Sequence, residues 1–284
     1  MLRKLPGSIA KSLFSHDGIN IYYDVNLADD NKKFLVFLHG LGGDLTSWNA
    51  ERQSFKNLGY STIAVDLRGH GLSERPREEK RYALNNFALD ILEIIIKEQI
   101  KDAVVIGHCF GGMVALTLEG TYPRTSKALI LIDTSYKPPY FSKVLTNHAL
   151  FNKMLSLVAN HAPDVGNHGH NDFSKFIGTG DFNVKRIISD ILHTSLHSYF
   201  MICENLLGYD ATTLLEKIIV PTLVIEGTKD HIFPPKVAKD LEKRIKTAEI
   251  DFIEGANHVL VINNPADLVK DMHKFLQKIN FNPT

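Results

Sequence analysis

The 284-residue sequence is poor in cysteine: only Cys109 and Cys203 occur. Two cysteines exclude a disulfide framework and fit a reducing compartment, so cytoplasmic residence is the expectation. Neither charge sign is in excess, with Lys+Arg and Asp+Glu both at 32, and nothing electrostatic points to nucleic acid or to an anionic membrane surface as partner. No apolar run approaches the roughly 18 residues of a membrane span. Neither G-x-x-x-x-G-K followed by Ser or Thr, nor G-x-G-x-x-G, is found, which leaves nucleotide binding unsupported. Internal repeats and low-complexity linkers are also missing. The first sixteen residues carry Arg3, Lys4, Lys11 and three serines without an acid. Pro6-Gly7 breaks that stretch, so it reads as a ragged terminus leading into a first strand rather than as a transit peptide.

What is present is a chain 44% hydrophobic and 23% charged, ordinary for a globular enzyme. It is long enough for one large α/β domain or for a core with an inserted subdomain. Its organising stretch runs from Ala103 to Val114. The apolar run Val104-Val105-Ile106 stops at Gly107, and after Gly111-Gly112 the spacing becomes helical, so Cys109 falls where a buried strand turns into a helix. Glycines flank such a turn because a Cβ has no room beside the nucleophile's backbone. Taken alone, G-x-C-x-G is equally the pattern of a cysteine packed as a small hydrophobe; its place between strand and helix makes it a nucleophile elbow.

The rest of the chain alternates. Residues 12 to 27 read as two strands joined at Asp17-Gly18. Phe34 to Leu38 is a continuous apolar run of the kind buried on both faces of a parallel sheet, and it ends in His39-Gly40-Leu41-Gly42-Gly43. A helical segment near 45 to 58 precedes a strand, Ser61 to Val65, and the loop Asp66 to Ser73, where Asp66 and His70 read as turn-stabilising groups. Helical spacing from Leu84 leads to the elbow strand, and a helix after Cys109 runs to Tyr122-Pro123. Ala128 to Ile132 is a further strand ending at Asp133. From about 136 to 215 the periodicity is helical and histidines are dense. Strand signals resume at Pro221–Gly227 and Ile250–Ile253, separated by a helix opened by Pro234-Pro235 and followed by a last helix striped by Leu268, Met272, Phe275 and Ile279.

Cys109, Asp230 and His258 each follow the end of an expected strand, where ligands and catalytic groups gather in open parallel sheets. Their order along the chain is nucleophile, acid, base. With His39-Gly40, Asp66 to Ser73, Gly107 to Gly112, Gly227 to Asp230 and Gly255 to His258, the sequence resembles the α/β-hydrolase superfamily from about residue 14 onward, apart from the helical segment. The resemblance implies a mostly parallel central sheet flanked by helices, with a core at 1–135 and 216–284 and an inserted helical cap at 136–215. It further implies Cys109 as nucleophile, His258 as general base, Asp230 as orienting acid with Asp133 in reserve, and an oxyanion hole from the Leu41 and Phe110 N–H groups. His39, Gly40 and His108 beside the elbow, and Phe141, Leu145 and Tyr199 from the cap, are the expected substrate contacts.

The expected chemistry is hydrolysis of carboxylic esters or thioesters through an acyl-cysteine, with no metal and no organic cofactor. The partner is a small-molecule substrate, and the assembly a monomer or homodimer. An acyltransferase of the same mechanism and a small-molecule receptor retaining a triad are the alternatives. Most of the superfamily carries serine at the elbow, so Cys109 stands either as the native nucleophile or in place of a serine. In the cap, His161, Asp164, His168, His170 and Asp172, with His193 and His197 four residues apart, lack a recognised zinc spacing.

Overall fold

The computed structural model describes residues 5–28, 33–138, 161 and 169–283. Eight strands form one sheet in the order β1-β2-β4-β3-β5-β6-β7-β8. They are β1 (Ile9–Phe14), β2 (Asn20–Asn26), β3 (Lys33–Leu38), β4 (Ser61–Val65), β5 (Asp102–His108), β6 (Ala128–Ile132), β7 (Thr222–Gly227) and β8 (Ala248–Ile253). β1 and β2 form the expected hairpin, and β2 meets β4 antiparallel. From β4 to β8 every pairing is parallel, so all these strands present their carboxyl ends at one edge.

The continuous apolar run of β3 has a simple cause. Leu35 and Phe37 belong to a core layer on one face of the sheet, and Val36 and Leu38 to a layer on the other. Because successive side chains alternate, a strand covered on both faces has to be apolar throughout. The first layer is supplied by α1 (Asn49–Asn57) and a C-terminal helix at Pro265–Lys278 through Phe55, Leu268, Met272 and Phe275. The second comes from α2 (Leu84–Lys97), α3 (Phe110–Thr121) and a helix at Pro235–Arg244 through Phe87, Ile91, Val114 and Leu241.

Between β6 and β7 the strand–helix alternation is interrupted by α4 (Val184–Thr194) and α5 (Leu196–Leu207), and among the described residues of this segment there is no strand. Two of its histidines reach buried acids of the sheet edge. His193 Nε2 lies 2.8 Å from Asp44 Oδ2, and His170 Nε2 lies 2.8 Å from Asp66 Oδ2. Among the described residues no helix is long and apolar enough to cross a membrane.

Candidate active site

β5 delivers Cys109 with φ +51° and ψ −113°, in the sparsely populated region where a non-glycine residue stores strain. Neighbouring elements hold it there. The Cys109 N–H donates to Ile132 O of β6 at 2.9 Å, and its carbonyl accepts from the Thr134 hydroxyl at 2.6 Å and from Gly112 N–H at 3.0 Å. At Gly111 a Cβ would collide with the backbone carbonyl of Leu38, which is why the first turn of α3 carries glycine so close to the end of β3.

The loop after β7 supplies Asp230 and the loop after β8 supplies His258. Asp230 Oδ1 accepts the N–H groups of Ile232 at 2.6 Å and Phe233 at 2.9 Å, which leaves Oδ2 to receive His258 Nδ1–H at 2.7 Å. The imidazole also faces Cys109, with which it lines one cavity. Burial by itself would lower the basicity of His258, but the facing thiolate of Cys109 and the Asp230 carboxylate raise its pKa well above 6.5. A buried imidazole beside anionic partners favours its cation.

The mouth of this arrangement is a cavity of about 70 Å³ lined by Gly40, Leu41, Cys109, His108, Arg186 and Asp190 among others. Gly40, Leu41 and His108 thus line the same cavity as Cys109. Among the described residues the N–H groups of Leu41 and Phe110 make no hydrogen bond. Two histidines brace the loop that carries Leu41. His39 Nδ1–H donates to Gly40 O at 2.8 Å while Nε2 accepts from Leu67 N–H at 3.0 Å; His70 Nε2 accepts from Gly42 N–H at 3.2 Å. Burial lowers both pKa values, His70 further through the nearby His39, so both rings are neutral. His39 therefore corrects the sequence reading: with both nitrogens spent on backbone and the ring 1% exposed, it supports the loop and does not reach substrate.

His108 Nε2–H donates to His258 O at 2.9 Å, and burial, with the charge of His258, pushes its pKa down to about 3. It is a neutral wall of the cavity that pins the base's backbone. Tyr199 lies against Phe200 with ring centroids 6.3 Å apart, and burial, then the charges of Cys203, Asp190 and Cys109, raise its pKa. Phe141 and Leu145 lie outside the described residues. Asp133, the reserve acid, is fully buried with Oδ1 accepting Gly227 N–H at 2.9 Å.

Sequence reasoning missed Arg186 and Asp190. Arg186 Nη1 pairs with Asp190 Oδ2 at 3.0 Å and Nη2 donates to Asp181 O at 2.8 Å. Burial pushes Asp190 up to about 7. α4 seats this pair directly on the Gly40–Gly43 loop, for a Cβ at Gly42, where φ is +82°, would come within 2.5 Å of Asp190 Cβ. An i, i+4 Arg–Asp pair reads as an exposed helix face, and nothing in sequence marks it as cavity wall.

The family model described as "Alpha/beta hydrolase family" matches residues 35–271. Epoxide hydrolase 1 of Caenorhabditis elegans is 24% identical over 286 residues, covering 92% of this chain and 68% of that protein. Bifunctional epoxide hydrolase 2 of Mus musculus is 22% identical over 293 residues, covering 88% of this chain; the chain spans 52% of its length. Among solved structures, the enol-lactonase from Burkholderia xenovorans superposes with a TM-score of 0.73 at 21% identity, covering 94% of this chain and all of that one. A thermophilic esterase from Thermogutta terrifontis gives 0.74 at 20% identity, with 95% and 99% covered.

Proposed function

Because the chain belongs to the alpha/beta hydrolase family, we propose that it hydrolyses carboxylic esters or thioesters through an acyl-enzyme on Cys109. The observation that carries this reading is the single imidazole of His258, bonded to Asp230 at 2.7 Å and facing Cys109 in the cavity both line. The thiolate attacks the carbonyl carbon, and the electron pair displaced onto oxygen is received by the Leu41 and Phe110 N–H groups. His258 gives its proton to the departing alkoxide or thiolate. It then takes a proton from water, which adds to the thioester carbonyl and returns Cys109 to the thiolate while the acid leaves. Asp230 holds the imidazole in the tautomer that both transfers need. Solved neighbours named as esterase and enol-lactonase support ester bonds as the substrate class.

The relatives named as epoxide hydrolases suggest a different electrophile, and the sulfur argues against it here. Thiolate opening of an epoxide gives a thioether, which has no carbonyl for water to attack, so the enzyme would be spent after one event. A thiolate nucleophile also has to be kept reduced, which supports cytoplasmic residence.

The test is turnover of p-nitrophenyl esters of graded acyl length. Sustained multiple turnover is expected. A single slow burst that leaves a mass increment on Cys109 would favour a receptor or a site shaped for serine, and product that rises with added alcohol or thiol would favour acyl transfer.

A further inference from the structure

Behind the imidazole, three carboxyl groups share one buried space: Asp133 just past β6, Glu226 within β7 and Asp230 just past it. One oxygen from each lies within 4.8 Å of the other two. Exposures of 0%, 0% and 3% keep water away. Charge on all three at once is therefore excluded by mutual repulsion in a poorly screened interior. The titratable groups that face them are His258 from the loop after β8 and Asp181 from the segment between β6 and β7, with His108 also close to Asp133 and His258.

The donors each group receives rank which one gives up its charge. Asp230 accepts three hydrogen bonds, from Ile232 N–H, Phe233 N–H and His258. Asp133 accepts one, from Gly227 N–H, and its Oδ2 has no partner. Both oxygens of Glu226 are buried and neither receives a hydrogen bond from a donor group. Hydrogen bonds to the charged form are what keep a buried carboxylate ionised, so Glu226 is the first to hold a proton.

We propose that Glu226 stands as a neutral carboxylic acid that keeps its proton and donates a hydrogen bond to Asp230, acting as a positioning residue that leaves one carboxylate to face His258. The arrangement accounts for an acid inside an otherwise apolar parallel strand. Burial, together with Asp133 and Asp230, pushes Glu226 up to about 11, while burial pushes Asp133 up to about 8. A second anion beside Asp230 would hold the imidazolium too firmly to let His258 act as base toward water. The positioning role rests on reading Cys109, His258 and Asp230 as the triad, whereas the protonated state of Glu226 does not.

Two measurements separate these claims. Infrared difference spectroscopy at about pH 9.5 lies above the raised values of the other buried acids, Asp90 at about 6, Asp190 at about 7, Glu51 and Asp133 at about 8, as well as above the ordinary carboxylate range. The carbonyl stretch of a protonated acid is expected there in the wild-type protein and is expected to be lost in Glu226→Gln. No such band in the wild type overturns the protonated state whether or not the variant folds. The second measurement is the pH profile of Cys109 alkylation by iodoacetamide. Glu226→Gln keeps a neutral donor, so both limbs of the profile are expected to stay in place. Glu226→Leu removes the donor and is expected to slow alkylation at neutral pH about 10-fold. If Glu226 were ionised, the Gln variant would remove an anion and move both limbs to lower pH. Equal rates in the Leu and Gln variants would overturn the positioning role while leaving the infrared result to stand or fall separately.

Discussion

His170 Nε2 sits 2.8 Å from Asp66 Oδ2 with both side chains buried, joining the segment between β6 and β7 to the loop after β4. Burial alone would lower the pKa of His170, but the hydrogen bond and charge of Asp66 raise it above 6.5. A histidine with a raised folded pKa contributes stability that is fully present below its unfolded value and is lost as pH rises through the folded one. The difference in melting temperature between wild type and His170→Ala is therefore expected to be largest near pH 5 to 6 and to shrink in the alkaline range, roughly from pH 7 upward. A difference that stayed constant with pH would show that the contact is neutral packing.

His258→Ala is expected to abolish turnover and, separately, to make Cys109 less reactive toward iodoacetamide at neutral pH. The reason is that the sulfur loses the imidazolium that faces it, and a neighbouring cation is what favours a thiolate. Alkylation as fast in the variant as in wild type would remove His258 from the site.

The two acids near the base should differ sharply. Asp230→Asn presents an amide where His258 Nδ1–H now donates at 2.7 Å, disturbing the tautomer, and turnover is expected to fall by about 10³-fold or more with the melting temperature little changed. Asp133 is pushed up to about 8 by burial, so an amide there replaces a group already neutral at pH 7. Asp133→Asn is accordingly expected to keep most of the turnover. Were it the more damaging of the two, the acid would have to be reassigned.

Cys109→Ser tests whether the site was shaped around sulfur. A thiolate facing an imidazolium attacks with little help, whereas a serine hydroxyl needs its proton removed in the same step, and its shorter bonds set the carbonyl off the two N–H donors. The serine variant is expected to turn over an activated ester about 10-fold more slowly or worse. A faster steady state in the serine form, beside a cysteine form that bursts and stalls, would mark Cys109 as standing in place of serine.

Much of this was legible in the chain because short-range rules govern it. β4 and β6 span the residues that hydrophobic patterning picks out, Ser61–Val65 and Ala128–Ile132, since a strand buried on both faces has to be continuously apolar. The elbow was legible because close backbone approach requires glycine at 107 and 111, and Asp230 and His258 because parallel strands bring the loops after them to one edge. His39 was misread for a local reason too. A histidine next to a glycine loop at a strand end looks the same whether its ring faces the substrate or folds back on the backbone, and only the position of Leu67 N–H decides.

By itself, then, the sequence determined the strand order along the chain, the turn at Cys109 and the residue types that could serve as nucleophile, acid and base. These follow from side-chain periodicity and backbone sterics, which act over a few residues. The tertiary structure decided what depends on groups far apart in the chain meeting in a place without water. It set Arg186 and Asp190 against the Gly40–Gly43 loop, turned His170 and His193 toward Asp66 and Asp44, and gathered Asp133, Glu226 and Asp230 within 4.8 Å. Charge states in such places are set by burial and by the donors each group receives, and neither is written in the spacing of residues along a chain.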